Sequence, residues 1–126
     1  MHILVIEDHD GVAEVIEKVL LNDGHRVLRA RDGRDGVTVF ERHRFDLVIT
    51  DILMPAQDGL ETIRMLLERR PELRVIAVSG GGEWHGTEFL RAARDRGAIA
   101  TLERPFRPRE LLELLRQVEA SAARAD

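Results

Sequence analysis

Short apolar runs alternate along the chain with longer segments in which apolar residues recur at helical spacing. The clearest runs, at residues 3–6 and 47–49, have the length and continuity of strands that are buried on both faces. Between them, residues 12–21 carry apolar side chains three to four positions apart, which predicts a helix with one buried face. The alternation favours an α/β fold over an all-helical or all-strand one.

Continued along the chain, this pattern predicts five strands and five helices in strict alternation. The predicted strands lie at residues 2–6, 26–30, 45–50, 74–78 and 98–103. The predicted helices lie at residues 12–21, 35–43, 60–70, 88–96 and 108–118. Arginines surround the short apolar stretch of the second strand, so we expect that strand at an edge of the sheet. Residues 119–126 are alanine-rich and are expected either to extend the last helix or to begin a linker.

Five successive β-α units predict a parallel sheet with helices on both faces, joined by right-handed crossovers. Ligands bind such sheets beyond the carboxyl ends of the strands, where the strand order reverses. The 126 residues suffice for one domain with one core. We therefore expect a single α/β domain whose chemistry gathers along one edge of its sheet.

Composition excludes several classes of function for this domain. The absence of cysteine excludes disulfides, thiol nucleophiles and cysteine-ligated zinc. A net charge of −4 argues against direct nucleic-acid binding, because no broad positive surface offsets phosphate repulsion. No apolar run approaches the ~20 residues of a membrane span, and the first residues lack the layout of a signal peptide. We expect a cytoplasmic location and no membrane partner.

Polar side chains of complementary type follow four of the five predicted strands. They are Glu7 and Asp8 after the first strand, Asp51 after the third, Ser79 after the fourth and Arg104 after the fifth. Neighbouring carboxylates repel one another unless a cation lies among them, and an all-oxygen ligand set favours a hard ion such as Mg²⁺. An aspartate can also accept a phosphoryl group, whose charge a metal ion, a hydroxyl and a guanidinium compensate. These residues predict a Mg²⁺-dependent phosphoryl-acceptor site.

The same residues belong to motifs that resemble the receiver domain of two-component response regulators, the CheY-like domains. The motifs are Ile-Glu-Asp at 6–8, Asp-Ile-Leu-Met-Pro at 51–55, Asp-Gly at 58–59, Val-Ser-Gly at 78–80 and Arg-Pro-Phe at 104–106. Each motif alone is weak, but their order and their places at strand ends are highly specific. The resemblance covers roughly residues 2–120. It implies a receiver domain at residues 1–120, with 121–126 as a tail or the start of a linker.

The resemblance implies a flavodoxin-like, doubly wound fold with strand order 2-1-3-4-5, for which CheY is a standard example. It implies that Asp51 is phosphorylated by a histidine kinase, a phosphotransfer protein or a small phosphodonor. It also implies that Mg²⁺ is bound by Asp8, Asp51 and the main-chain carbonyl of Leu53, with Glu7 close by. The domain would be a regulatory phosphoprotein and no enzyme beyond its own phosphorylation and dephosphorylation.

Further expectations concern the switch and the partners. Ser79 corresponds to the family's switch hydroxyl, which bonds the phosphoryl group. Arg104 stands where the family has a phosphoryl-contacting lysine, and its bond to Pro105 is expected to be cis. The implied partners are a downstream protein or attached output domain, and a second copy bound through the face of the fourth helix, fifth strand and last helix.

Two residues depart from the family pattern. Arg104 is larger, planar and always charged, so it would either bind a phosphoryl group with two prongs or be too bulky to approach it. Thr101 replaces the usual Tyr or Phe of the switch and cannot make the aromatic swing that reports phosphorylation. Both departures leave open a pseudo-receiver that binds partners constitutively through its last helix and fifth strand. A phosphate-ester hydrolase fits less well, because such enzymes usually carry the nucleophile on the first strand and enclose substrate with a cap.

Overall fold

Five strands alternate with five helices in the computed structural model of the protein, which describes residues 1–52, 59–79 and 86–125. Side chains are described for these residues except 86–90 and 121–125. The strands are β1 (His2–Ile6), β2 (Arg26–Ala30), β3 (Leu47–Asp51), β4 (Arg74–Ser79) and β5 (Ala100–Glu103). The helices are α1 (Asp10–Asn22), α2 (Gly33–Arg42), α3 (Gly59–Arg69), α4 (Gly86–Asp95) and α5 (Pro108–Ala125).

The sheet is parallel throughout, with the strand order β2-β1-β3-β4-β5, which confirms the predicted topology. Every residue of β3 is buried, whereas β2 lies at an edge and exposes part of its side chains, as predicted. The strand order reverses between β1 and β3. Ligands are therefore expected at the carboxyl ends of these two strands.

Alternate residues of the central strands point to opposite faces and supply two apolar layers. One layer contains Leu4 and Val48 with the buried residues of α2 and α3, and the other contains Ile3 and Ile49 with those of α1 and α5. Complete burial of a single large aliphatic side chain contributes about 1.5–3 kcal/mol. The layers hold the strand ends in fixed relative positions, and the candidate site residues extend from those ends.

Four helices begin before the predicted residue: α1, α2 and α4 by two residues and α3 by one. For α1 and α2 the reason is that a capping side chain, rather than an apolar residue, marks the start. His9 Nδ1 accepts a hydrogen bond from Val12 N, and α1 begins at Asp10. Asp32 Oδ1 accepts from Asp35 N at 2.8 Å, and α2 begins at Gly33. At the other end of the chain, α5 continues to Ala125, so the alanine-rich segment extends the helix. None of the described helices is both long and apolar enough to cross a lipid bilayer.

Candidate functional site

Three carboxylates meet where the strand order reverses. Glu7 follows β1 directly and is 2% exposed, Asp51 is the last residue of β3 and is 4% exposed, and Asp8 lies exposed beside them. One oxygen of each carboxylate lies within 4.8 Å of the other two. The structure therefore brings together the three acids that the sequence predicted for this edge of the sheet.

Strand register explains why the acids converge. Ile6 pairs with Thr50 in the parallel ladder between β1 and β3, so the next residues, Glu7 and Asp51, lie side by side. Glu7 N also donates to the carbonyl oxygen of Ala30 at 3.0 Å, which continues the β1–β2 ladder beyond the end of the strand. The main-chain hydrogen bonds thus fix the positions of the Glu7 and Asp51 α-carbons. The two side chains extend from there into the same small space.

The guanidinium of Arg104 spans the two buried acids. Its Nη1 lies 3.1 Å from Glu7 Oε1, and its Nη2 lies 2.9 Å from Asp51 Oδ2. The main chain of Arg104 is held separately, because its N donates to the carbonyl oxygen of Ser79 at 2.8 Å. The peptide bond to Pro105 is cis, as the resemblance implied. Arg104 is therefore part of the acidic cluster.

Ser79 is the last residue of β4 and is completely buried. The β3–β4 ladder pairs Asp51 with Val78, so Ser79 follows directly at the same edge of the sheet, between Asp51 and Arg104. Thr101 lies two residues from the end of β5, pairs with Ala77 and is half-buried. Leu53, whose main-chain carbonyl is a predicted ligand, lies outside the described residues.

Burial raises the pKa of Glu7 to about 8. The negative charge of Asp51 and a hydrogen bond between the two side chains act in the same direction, while the positive charge of Arg104 opposes them by less. The shift favours the protonated form of this carboxyl. When Glu7 is protonated, its proton and the guanidinium of Arg104 together offset the negative charge of the cluster.

A sequence profile described as "Response regulator receiver domain" matches residues 3–116 of the chain. The chain belongs to this family. The receiver domain is 32% identical over 116 residues to the transcriptional regulatory protein DltR of Streptococcus agalactiae, covering 92% of this chain and 50% of that protein. It is 25% identical to sporulation initiation phosphotransferase F of Bacillus subtilis, covering 82% of each chain.

Solved structures agree on the fold. A CheY-like receiver domain protein from Methanospirillum hungatei aligns over 99% of this chain and 98% of its own, with a TM-score of 0.89 at 24% identity. The receiver domain spans about half the length of DltR and of Response regulator MprA of Mycolicibacterium vanbaalenii, which it also matches. What this chain shares with these proteins is therefore the domain fold, which in this chain positions the acidic cluster.

Arg29, in the edge strand β2, also contacts the cluster. Its Nε and Nη2 donate to the carbonyl oxygen of Glu7 at 3.1 and 2.8 Å, and its Nη1 donates to Asp10 Oδ1 at 2.7 Å. The arginines around the second strand were expected to indicate an edge strand, which β2 is, but the contact of Arg29 with the Glu7 carbonyl oxygen was not predicted. The sequence feature that could have indicated this contact is the position of Arg29, near the carboxyl end of the strand that pairs with β1.

The donor set of the receiver domain fits a hard divalent cation. All three side chains offer oxygen ligands, which Mg²⁺ prefers, and Asp8 opens the cluster to solvent. Among the described residues, no histidine joins the three acids in this group. Arg104, however, already bonds one oxygen of each buried acid. A bound cation would thus have to share these oxygens with the guanidinium or replace it.

Proposed function

We propose that this receiver domain is a phosphorylation switch in which Asp51 accepts a phosphoryl group from a histidine kinase, a phosphotransfer protein or a small phosphodonor. The observation that carries the proposal is the meeting of Glu7, Asp8 and Asp51, with one oxygen of each inside 4.8 Å. Such crowding is unfavourable unless cations offset it. A site that binds a divalent cation and a phosphoryl group provides that compensation.

In the proposed reaction, a carboxylate oxygen of Asp51 attacks the phosphorus of the donor. A P–O bond forms, the P–N bond of phosphohistidine breaks, and the leaving imidazole keeps the electron pair and takes a proton from solvent. With acetyl phosphate the broken bond is P–O, and acetate leaves. Mg²⁺ held by Glu7, Asp8, Asp51 and the Leu53 carbonyl would neutralise charge on the transferred oxygens. The guanidinium of Arg104 would add two directed hydrogen bonds.

Signal output in this proposal begins at Ser79. Its buried position at the end of β4, next to Asp51, would let its hydroxyl bond a phosphoryl oxygen after transfer. Thr101 in β5 would contribute through packing rather than through an aromatic swing. The surface formed by α4, β5 and α5 would then bind a downstream protein, an output domain or a second copy of the chain.

The proposal assigns residues 1–120 to the switch and 121–126 to a tail or the start of a linker. The matched relatives include a transcriptional regulatory protein and a phosphotransferase, and these names fit an attached output domain and a phosphorelay component respectively. The receiver family is regulatory. We therefore propose no turnover of an external substrate, and a cytoplasmic site of action.

Phosphorylation by acetyl phosphate in the presence of Mg²⁺ tests the proposal. Intact mass spectrometry should show the gain of one phosphoryl group, and hydroxylamine should remove it because the product is an acyl phosphate. Asp51→Asn should abolish the gain. Asp46→Asn is the matched control, because Asp46 directly precedes the same strand, at its amino end. Folded wild-type protein that stays unmodified at saturating donor would contradict the proposal.

One observation favours a second candidate function, a pseudo-receiver that binds partners constitutively through α5 and β5. The positively charged guanidinium of Arg104 already bonds both Glu7 and Asp51. It therefore compensates their charge as a bound metal ion would. A degenerate site of this kind needs no metal and no phosphodonor. Calorimetric titration separates the two functions, because a folded pseudo-receiver binds no Mg²⁺ even at tens of millimolar.

A further inference from the structure

We infer that Arg29 and Asp10 act as a pair that positions Asp8, the exposed ligand of the proposed metal site. The inference names a positioning device for that site and therefore rests on the proposed function. The guanidinium of Arg29 bonds the Glu7 carbonyl oxygen through Nε and Nη2, at 3.1 and 2.8 Å, and Asp10 Oδ1 through Nη1, at 2.7 Å. One side chain thus holds the chain directly before Asp8 and again two residues after it.

Strand register directs Arg29 towards this segment. Arg29 pairs with Val5 in the parallel ladder between β1 and β2, and Val5 belongs to the apolar layer that also contains α1. Paired residues extend their side chains to the same face of a sheet, so Arg29 extends towards the beginning of α1. Because β2 ends at Ala30, no further residue of that strand continues the ladder to the Glu7 carbonyl oxygen. The guanidinium supplies the donors there.

The other bonds of residues 7–10 leave the direction of the Asp8 side chain to its main chain. Asp8 N donates to Glu7 Oε2 at 3.0 Å, and the carbonyl oxygen of His9 accepts from Ala13 N at 3.0 Å. The Asp8 residue itself is exposed. An exposed side chain gains little orientation from packing, so the contacts that flank it decide where its carboxylate lies.

The pair of Arg29 and Asp10 suits this role chemically. The hydrogen bond from Arg29 lowers the pKa of Asp10, and the positive charges of Arg29 and Arg31 act in the same direction, so Asp10 is an anion at neutral pH. A planar guanidinium bonds a carbonyl and a carboxylate at once in a fixed geometry, which a compact ammonium does not. Loss of contacts that orient a metal ligand typically lowers metal affinity by about 10- to 100-fold.

Removal of Arg29 tests the inference by the sign of its effect. Loss of a positive charge near a metal site should by itself tighten cation binding, whereas loss of positioning should weaken it. We expect Arg29→Met to weaken Mn²⁺ binding by about thirtyfold, measured by electron paramagnetic resonance of the free ion at constant ionic strength. Arg31→Met is the matched control, because Arg31 is exposed and its charge also acts on Asp10. We expect its Mn²⁺ affinity to equal or slightly exceed that of wild type. An Arg29→Met variant that binds Mn²⁺ as tightly as wild type would overturn the inference.

A double-variant cycle tests whether Asp10 acts through Arg29. We expect Asp10→Ala alone to weaken Mn²⁺ binding about threefold, and the double variant to bind about as weakly as Arg29→Met, because Asp10 acts by holding the guanidinium. Glu14→Ala, which removes an exposed acid one turn further along α1, measures the effect of one lost negative charge. A double variant weakened by the product of the two single effects, about ninetyfold, would overturn the pairing.

The Mg²⁺ dependence of phosphorylation gives a readout that a purely structural role would not move in the same way. With acetyl phosphate, Arg29→Met should reach the wild-type maximal rate at saturating Mg²⁺, but need about thirtyfold more Mg²⁺ for half of that rate. Urea denaturation without metal reports the stability of each variant separately. A lower maximal rate with unchanged half-saturation would contradict a positioning role.

The outcomes distinguish this inference from the proposed function. If Asp51 is phosphorylated and Arg29→Met binds Mn²⁺ as well as wild type, only the inference is wrong. If folded wild-type protein binds no Mn²⁺ and Asp51 stays unmodified, both are wrong. Should Arg29→Met fail to fold, Arg29→Lys decides, because it keeps the charge and loses the planar fork. A Mn²⁺ affinity of Arg29→Lys equal to that of wild type then overturns the inference.

Discussion

Acidic side chains are paired differently at the two ends of the sheet. At the amino ends of the strands, acids are paired within the fold: Asp23 accepts from His25 Nε2 at 2.9 Å and from Arg116 Nη2 at 2.7 Å. At the carboxyl ends, three acids cluster, and the guanidinium of Arg104 bonds two of them, Glu7 and Asp51. The amino-end network is closed by its own partners, whereas the carboxyl-end cluster carries more acid than base. Excess charge of one sign at a ligand-binding edge is typical of function.

The pKa shifts of one acid from each end, Asp23 and Glu7, differ in direction. A hydrogen bond from Arg116 lowers the pKa of Asp23, so this carboxyl is a stable anion. Burial raises the pKa of Glu7 to about 8, and the charge of Asp51 adds to the shift. Acids within one small domain are therefore shifted in opposite directions by their surroundings. Pairing with a cation accounts for the shift of Asp23, and burial accounts for that of Glu7.

The largest expected effect comes from filling the space next to Asp51. A Cβ added to Gly59 would lie 2.3 Å from the carbonyl oxygen of Asp51 and 2.3 Å from Ile52 Cα, both main-chain atoms. Gly59→Ala should therefore destabilise the protein by about 3 kcal/mol or abolish metal binding, because the main chain at the end of β3 must move. Urea denaturation and Mn²⁺ binding measure both effects.

Gly11→Ala is the matched control, since its added Cβ would lie 3.2 Å from the side chain of His9, which can move. We expect it to change the free energy of unfolding by less than about 1 kcal/mol. A Gly59→Ala variant with wild-type stability and metal affinity would show that the carboxyl end tolerates displacement of Asp51.

An intermediate effect is expected for Arg29→Lys. The substitution keeps the charge but loses the two-pronged hydrogen bond to the Glu7 carbonyl oxygen. Because this bond orients the chain that carries the acidic pair, we expect metal affinity to fall by up to about tenfold. Arg26→Lys, an exposed change in the same strand, should leave metal affinity unchanged. Equal affinities for the two variants would limit Arg29 to a structural role.

The smallest effect is expected at the amino end, for Asp23→Asn. A lowered pKa in the folded state means that the Asp23 carboxylate stabilises the fold above its unfolded pKa and loses this contribution as pH falls through the folded pKa. The variant should melt slightly below wild type at neutral pH, and the difference should shrink as the pH falls below the ordinary aspartate pKa of about 3.9. Calorimetric melting curves measure it. A loss of metal binding would contradict the division between the two ends.

Most of the fold could be predicted because its signals are local. The apolar runs of β1 and β3 and the helical spacing in α1 are visible in short windows of sequence. The starts of α1 and α2 were missed, because the first turn of a helix needs a cap rather than an apolar residue. The acids at the ends of β1 and β3 could be predicted once the sheet was expected to be parallel.

The arginine contacts could not be predicted, because they depend on register and on side-chain reach. Arg29 pairs with Val5 across the β1–β2 ladder, which brings its side chain beside the Glu7 carbonyl oxygen. With only Lys18 as lysine among 19 lysine and arginine residues, no single arginine stands out. Arg104 was expected near the phosphoryl group, but its bridge between two acids follows from the spacing of strand ends in three dimensions.

Because Asp51 and Ser79 end adjacent strands of a fully hydrogen-bonded sheet, their α-carbons have little freedom to move. Even the residue after Asp51 is tied to the ladder, through the bond from Ile52 N to the Val78 carbonyl oxygen. In the proposed function, any response at these anchored positions would therefore have to be a rotation of side chains rather than a shift of the strands. The duration of the modified state would then follow the lifetime of the acyl phosphate on Asp51.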